Sequence, residues 1–269
     1  MLLVNELTSD VKTKGSIIKV LSRPAMKDPL LLVGLPGIGL VSKLAADHLT
    51  KEKAAKKFAA LYSRHLPNQA IAMKSGRMRL FSIRFYHRKM GSKDVVIVKG
   101  DLQPLTVEGQ YEVAGDILDF FKELGGKTVV SMAGYAIIKK SEKPAVYCTS
   151  TDKALFKKFV SLGAKKTGRT VPIMGLAGLI PALAELNGMH GACLLAETPG
   201  NLIDAKAASA MLEVIGKLTG QKIDVKHLEE QAKKAEDALK KFEETARSEQ
   251  ATAPGGAAEV IRKDITYIR

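Results

Sequence analysis

Two carboxylates stand where an α/β protein would do chemistry. Asp101 lies in Lys99-Gly-Asp-Leu-Gln-Pro104, just past the apolar run 94–99, and Glu197 lies in Ala196-Glu-Thr-Pro-Gly200, just past the run 191–196. Ligands of open α/β sheets bind outside the carboxyl ends of the strands. At such an end Asp101 suits an acid, a base or a ribose ligand, and Glu197 suits a polar contact. A second reading stands beside this one. Short polar side chains at turns also bond their own backbone, Asp101 in its loop and Thr198 before Pro199. No other carboxylate is placed by the sequence to make an acid/base pair with Asp101.

The third candidate is the glycine turn Gly34-Leu-Pro-Gly-Ile-Gly39. Backbone N–H groups at a helix start attract anions. A P-loop needs Lys and Ser/Thr directly after its second glycine, but here Leu40 and Val41 follow Gly39. The order Gly-x-x-Gly-x-Gly also differs from the dinucleotide-binding Gly-x-Gly-x-x-Gly. The turn is either structural or a weak anion cradle. Gly34, Gly37, Gly39, Asp101 and Glu197 together outline a candidate crevice.

Other chemistry finds less support. Arg77 to Arg88 interleaves basic and aromatic residues, as an RNA-binding strand does. It lacks the glycine–aromatic pattern of a ribonucleoprotein sheet, and charge on an edge strand also blocks unwanted pairing. Nucleic acid is therefore not the expected partner. No Gly-x-Ser-x-Gly elbow occurs. Cys148 and Cys193 sit in apolar runs without neighbours that would lower a thiol pKa. His48, His65, His87, His190 and His227 contain no His-x-x-x-His pair, so no metal site is expected.

The elements that position these residues alternate. Strands are expected at 16–21, 30–34, 58–62, 70–74, 78–86 and 94–99, with helical spacing over 39–49. Thr106 is a good N-cap for a helix that ends at Gly125-Gly126. Further strands are expected at 127–132, 145–150, 171–174 and 191–196, with helices at 153–162, 179–186 and from an Asp204 cap to about Leu218. This alternation implies an α/β fold with a mixed central sheet flanked by helices.

The 269 residues suffice for a real core, and 46% hydrophobic with 26% charged residues is ordinary globular usage. Trp is absent and aromatics are only 5%, which disfavours a base-stacking surface. Two cysteines exclude a disulfide framework. No signal peptide opens the chain, and no apolar run reaches the roughly 18 residues of a membrane span. A soluble, cytoplasmic protein is the expectation.

The chain divides unevenly into an α/β body (1–224), a heptad-patterned helix (225–249) and a flexible linker with a docking tail (250–269). Leu228, Ala232, Ala235, Leu239, Phe242 and Ala246 form the seam, which either packs on the body or self-associates. Arg247 to Ala258 has linker composition, and its 12 residues span roughly 20 Å as a coil. Beyond it, Val260, Ile261, Ile265, Tyr267 and Ile268 suit docking rather than a frayed end.

The glycine turn and two further blocks resemble a known family. Pro29 to Leu49, with Leu-Val-Gly-Leu-Pro-Gly-Ile-Gly at its centre, is similar to the N-terminal signature of the proteasome assembly chaperone family in its archaeal branch. Met132-Ala-Gly-Tyr135 resembles the middle motif, which usually has Gly-Gly where Ala133-Gly134 stands. Gly175 to Gly188 with Ala192 to Gly200 resembles the third block. The similarity covers about residues 15–220. It implies a fold similar to purine nucleoside phosphorylases and a non-enzymatic role without cofactors. It also implies proteasome α-subunits or the assembled core particle as partner, and a homo-oligomer. Several members insert a C-terminal hydrophobic–Tyr–any-residue motif between adjacent α-subunits. Here Thr266-Tyr267-Ile268-Arg269 carries its Tyr one position earlier. Ile265, Tyr267, Ile268 and Arg269, with the terminal carboxylate, are the residues expected to dock. The alternative from the residues themselves is a nucleotide- or nucleoside-binding enzyme at the crevice.

The charge is local. The net charge is +14, and residues 51–100 hold 13 basic against 2 acidic side chains, a net +11. From 225 to 269 basic and acidic residues number 9 each. The strand meander is thus the part expected to meet an acidic face.

Overall fold

A computed structural model describes residues 10–13, 15–51, 54–138, 141–200, 203–228 and 230. The heptad positions after Leu228, the linker and the tail residues Ile265, Tyr267, Ile268 and Arg269 lie outside the described residues.

The apolar runs form the centre of a ten-stranded mixed sheet. Its strands are β1 (Val11–Lys12), β2 (Ser16–Val20), β3 (Leu30–Gly34), β4 (Lys56–Ser63), β7 (Ile83–Met90), β8 (Lys93–Gly100), β9 (Thr128–Ala136), β10 (Val146–Ser150), β11 (Lys165–Lys166) and β12 (His190–Thr198). They lie in the order β1-β2-β4-β7-β8-β3-β9-β12-β10-β11. The four central strands β8, β3, β9 and β12 are parallel. Strands β2, β4 and β7 extend one side as an antiparallel meander, and β10 pairs antiparallel with β12. A separate two-stranded ribbon joins β5 (Ala70–Ala72) and β6 (Met78–Leu80).

Because both faces of the central strands are covered, β3 is apolar and buried at every position rather than alternating. Helices α1 (Val41–Lys51), α3 (Lys153–Ser161) and α5 (Ala205–Thr219) supply one core, where Leu44, Leu49, Phe159, Met211 and Ile215 meet Leu32 and Leu194. Helices α2 (Val107–Glu123) and α4 (Leu176–Leu186) supply the other, where Ile117, Phe121 and Ile180 meet Leu31 and Val96. Phe58, Phe85 and Phe120 form a ring cluster there, with Phe85 edge-on to Phe120 at 5.1 Å. Leu228, the first residue of the heptad seam, is 1% exposed and packs into the α1–α5 core.

Caps fix the helix starts. Thr106 accepts from the Gly109 N–H at 3.1 Å, Asp152 from Leu155 at 2.6 Å and Asp204 from Ala207 at 3.0 Å. Helix α4 tolerates Pro181 because the carbonyl that Pro181 cannot bond, that of Ala177, accepts instead from the buried Ser131 hydroxyl of β9.

Two expected strands differ. Residues 78–86 do not run as one strand but divide between β6 and β7. Ser82 donates its N–H to the Asp101 carboxylate at 3.2 Å while its carbonyl still accepts the Asp101 N–H at 3.2 Å, so the chain turns there and β7 starts at Ile83. Residues 171–174 form no strand, since β11 at Lys165–Lys166 already occupies the edge beside β10. Helix α4 begins at Leu176 rather than 179, and β9 runs on to Ala136. Among the described residues no helix is long and apolar enough to cross a membrane.

Candidate functional site

The carboxyl edge of β8, β3, β9 and β12 brings the glycine turn beside the third sequence block. The turn is tightly filled. Gly39 has φ 63, and a Cβ there would sit 2.7 Å from the Thr198 hydroxyl. Its carbonyl accepts from the Asp204 N–H at 3.0 Å, so the turn also anchors the start of α5. Gly134 lets β9 approach the Ile38 carbonyl, and Gly34 lets β3 approach α1 at Ser42 and Ala46. Gly37 differs: it is extended, and nothing lies within 4 Å of its Cβ position. Gln103 ties the turn across the edge. Its amide N–H donates to the Pro36 carbonyl, and its carbonyl accepts from Leu176 at the start of α4 at 3.1 Å.

Asp101 is engaged on every side the structure gives it. Arg79 donates to it at 2.7 and 3.2 Å, Arg84 at 2.8 Å and the Ser82 N–H at 3.2 Å. Burial pushes its pKa up, but the Arg79 bonds and the Arg84 charge outweigh this, and the carboxyl titrates below its ordinary value. Such a group is a fixed anion, not a general acid or base near neutrality.

Glu197 holds the opposite side of the edge. It accepts from the Ala145 N–H at 3.0 Å and from the Tyr147 hydroxyl at 2.7 Å. The bond to Glu197, then burial, pushes the Tyr147 phenol up. Tyr147 meets Tyr135 edge-on at 5.4 Å, and the Tyr135 hydroxyl accepts from Arg169 at 3.0 Å. Beside this cluster lies a groove of about 440 Å³ lined by Thr149, Lys166, Thr167, Arg169 and Thr170, with Val171 and Ile173. Sequence reasoning passed over Tyr147 and Arg169. Tyr135 was visible only as the end of the Met132-Ala-Gly-Tyr135 block.

The basic meander spends much of its charge internally. Arg79 and Arg84 serve Asp101, Lys99 pairs with Asp47 at 2.9 Å, and the 3% exposed Arg88 donates to the Leu49 carbonyl at 2.8 Å. Each of these four side chains is engaged by a group of the same chain. Among the described residues no group of three or more His, Cys, Asp or Glu side chains is arranged to hold a metal ion.

Comparisons with known proteins agree with one another. The model of the PAC2 family matches residues 31–243. A Methanocaldococcus jannaschii protein, MJ1210, is 35% identical over 261 residues, 94% of this chain and 98% of the relative. The crystal structure of Pyrococcus furiosus PbaB, an archaeal proteasome activator, superposes with a TM-score of 0.77 at 38% identity, covering 86% of this chain and 100% of PbaB. That of Pyrococcus furiosus PbaA, an archaeal homologue of proteasome-assembly chaperone, superposes with a TM-score of 0.71 at 26% identity, covering 87% and 99%. With the family model spanning well over half its length, the chain belongs to the PAC2 family.

Proposed function

We propose that this protein is a non-enzymatic proteasome assembly chaperone or proteasome-binding adaptor. The observation that carries the reading is the likeness of nearly the whole body to PbaB, a proteasome activator. The Asp101 carboxylate, held as an anion by Arg79 and Arg84, supports a scaffold over a hydrolase or transferase. The partner is the proteasome core particle, met through its α-subunits. The segment Ile265, Tyr267, Ile268 and Arg269 contributes by filling an apolar slot between them. The protein works in the cytoplasm as a homo-oligomer.

The test is co-purification of the full chain with archaeal proteasome core particle, beside a variant that lacks residues 265–269. Capture of the full chain and loss with the truncation is expected. Equal capture of both removes the tail from the reading, and capture of neither removes the reading itself. The competing reading, a nucleoside- or nucleotide-binding enzyme at the crevice of Gly34, Gly37, Gly39, Asp101 and Glu197, requires the melting temperature to rise with added nucleoside or phosphate.

A further inference from the structure

The β5–β6 ribbon stands outside the main sheet with one apolar face uncovered. The register pairs Ala70 with Leu80 and Ala72 with Met78, so all four point the same way. All four are exposed, Met78 at 76% and Leu80 at 59%, and Met73 beside them is 46% exposed. The opposite face carries Ile71 and Arg79, and Arg79 is fastened to Asp101. An isolated two-stranded ribbon is marginal in water. This one is held by its rear face and by a closed turn, where the Met73 N–H donates to Arg77 at 2.8 Å and the Gly76 N–H to Met73 at 2.9 Å. A ribbon pinned from behind with its apolar side outward is built to present that side.

Charge selects the occupant. The segment 69–82 has three basic residues and no acidic one. Arg79 is tied to Asp101, which leaves Lys74 and Arg77 at the exposed turn with no carboxylate partner among the described residues. In a two-fold contact between copies the same patch meets itself, and Lys74 and Arg77 would face like charges. From the apolar face and this cationic rim we infer that the ribbon docks an acidic protein surface with an apolar centre. Methionine suits the contact because it adapts to irregular partners. The inference rests on the proposed function, under which that surface belongs to the core particle.

The experiment measures binding of the full chain to core particle over a salt series, with light scattering of each variant alone. Met78→Asp with Leu80→Asp is expected to weaken binding at least about tenfold at an unchanged melting temperature, since both side chains point to solvent. Lys74→Glu with Arg77→Glu is expected to weaken it and to flatten its salt dependence. Unchanged affinity in both double variants overturns the inference and leaves the proposed function standing. Failure of the unsubstituted chain to bind overturns both. A change of oligomer mass in Met78→Asp with Leu80→Asp identifies a second copy as the occupant and also overturns it.

Discussion

Asp101 receives two N–H groups of the Arg79 guanidinium, at 2.7 and 3.2 Å, and this pair joins the β5–β6 ribbon to the end of β8. Arg84 of β7 shares the same carboxylate, so one anion holds three segments. Asp101→Asn removes the charge while keeping the shape. It leaves two guanidinium groups short of their acceptor, which costs about 1–3 kcal/mol. The denaturant midpoint is expected to fall with an unchanged slope. Limited proteolysis is expected to cut first within 70–80, where the ribbon has lost its rear fastening. An unaltered midpoint would show that the pair is merely a surface contact.

Acid stability follows from the same carboxylate and from Asp94. Burial pushes Asp94 up, but the Lys27 N–H at 3.1 Å and the His87 ring at 2.9 Å outweigh it, and the net direction is down. A carboxyl lowered in the folded state contributes stability above its unfolded value of about 3.9. That contribution is lost as pH falls through the lower folded value. The fold is therefore expected to hold its stability down to about pH 4 and to lose it below. Asp101→Asn should flatten the loss in an acid titration followed by circular dichroism. A wild-type loss that begins between pH 5 and 7 would point to other groups.

The glycine turn separates two readings by substitution. Gly39→Ala places a Cβ against Thr198 at φ 63 and is expected to cost more than about 1 kcal/mol. Gly134→Ala drives a Cβ into the Ile38 carbonyl and should cost at least as much. Gly37→Ala meets open space on extended backbone and is expected to stay within about 0.5 kcal/mol. Thermal melts of the three variants check the order. An anion cradle would show itself separately, as a melting temperature of the unsubstituted chain that rises with added phosphate and no longer does so in Gly37→Ala.

Much of this architecture was legible because burial imposes patterns on sequence. The runs Leu30-Leu-Leu-Val-Gly34 and Val95-Val-Ile-Val98 had to be inner strands, and Thr106 and Asp204 had to be caps. What stayed hidden was long-range. Nothing local says that Asp101 will capture Ser82 and break a strand 19 residues earlier in the chain, or that Arg79 and Arg84 point inward. The Pro181 helix was legible only from 179, because its accommodation depends on Ser131 of another strand. Asp101 and Glu197 stood out as candidate positions at strand ends, but their partners, Tyr147 for Glu197 and the two arginines for Asp101, depend on strand order.

The cysteines offer a direct check on the core. Cys193 is 1% exposed at the centre of β12, and burial pushes its thiol up to about 12. Cys148 on the neighbouring β10 is also 1% exposed and shifted upward by burial. The thiolate is the reactive form, so at pH 8 neither group is both ionised and accessible. A thiol reagent is expected to label fewer than one cysteine per chain in the native protein over an hour, and two after denaturant is added. Because β10 and β12 are adjacent, the two sites should become reactive together in a denaturant series, at the midpoint of global unfolding. Earlier labelling of Cys148 alone would show that β10 and β11 peel from the sheet before the parallel core opens.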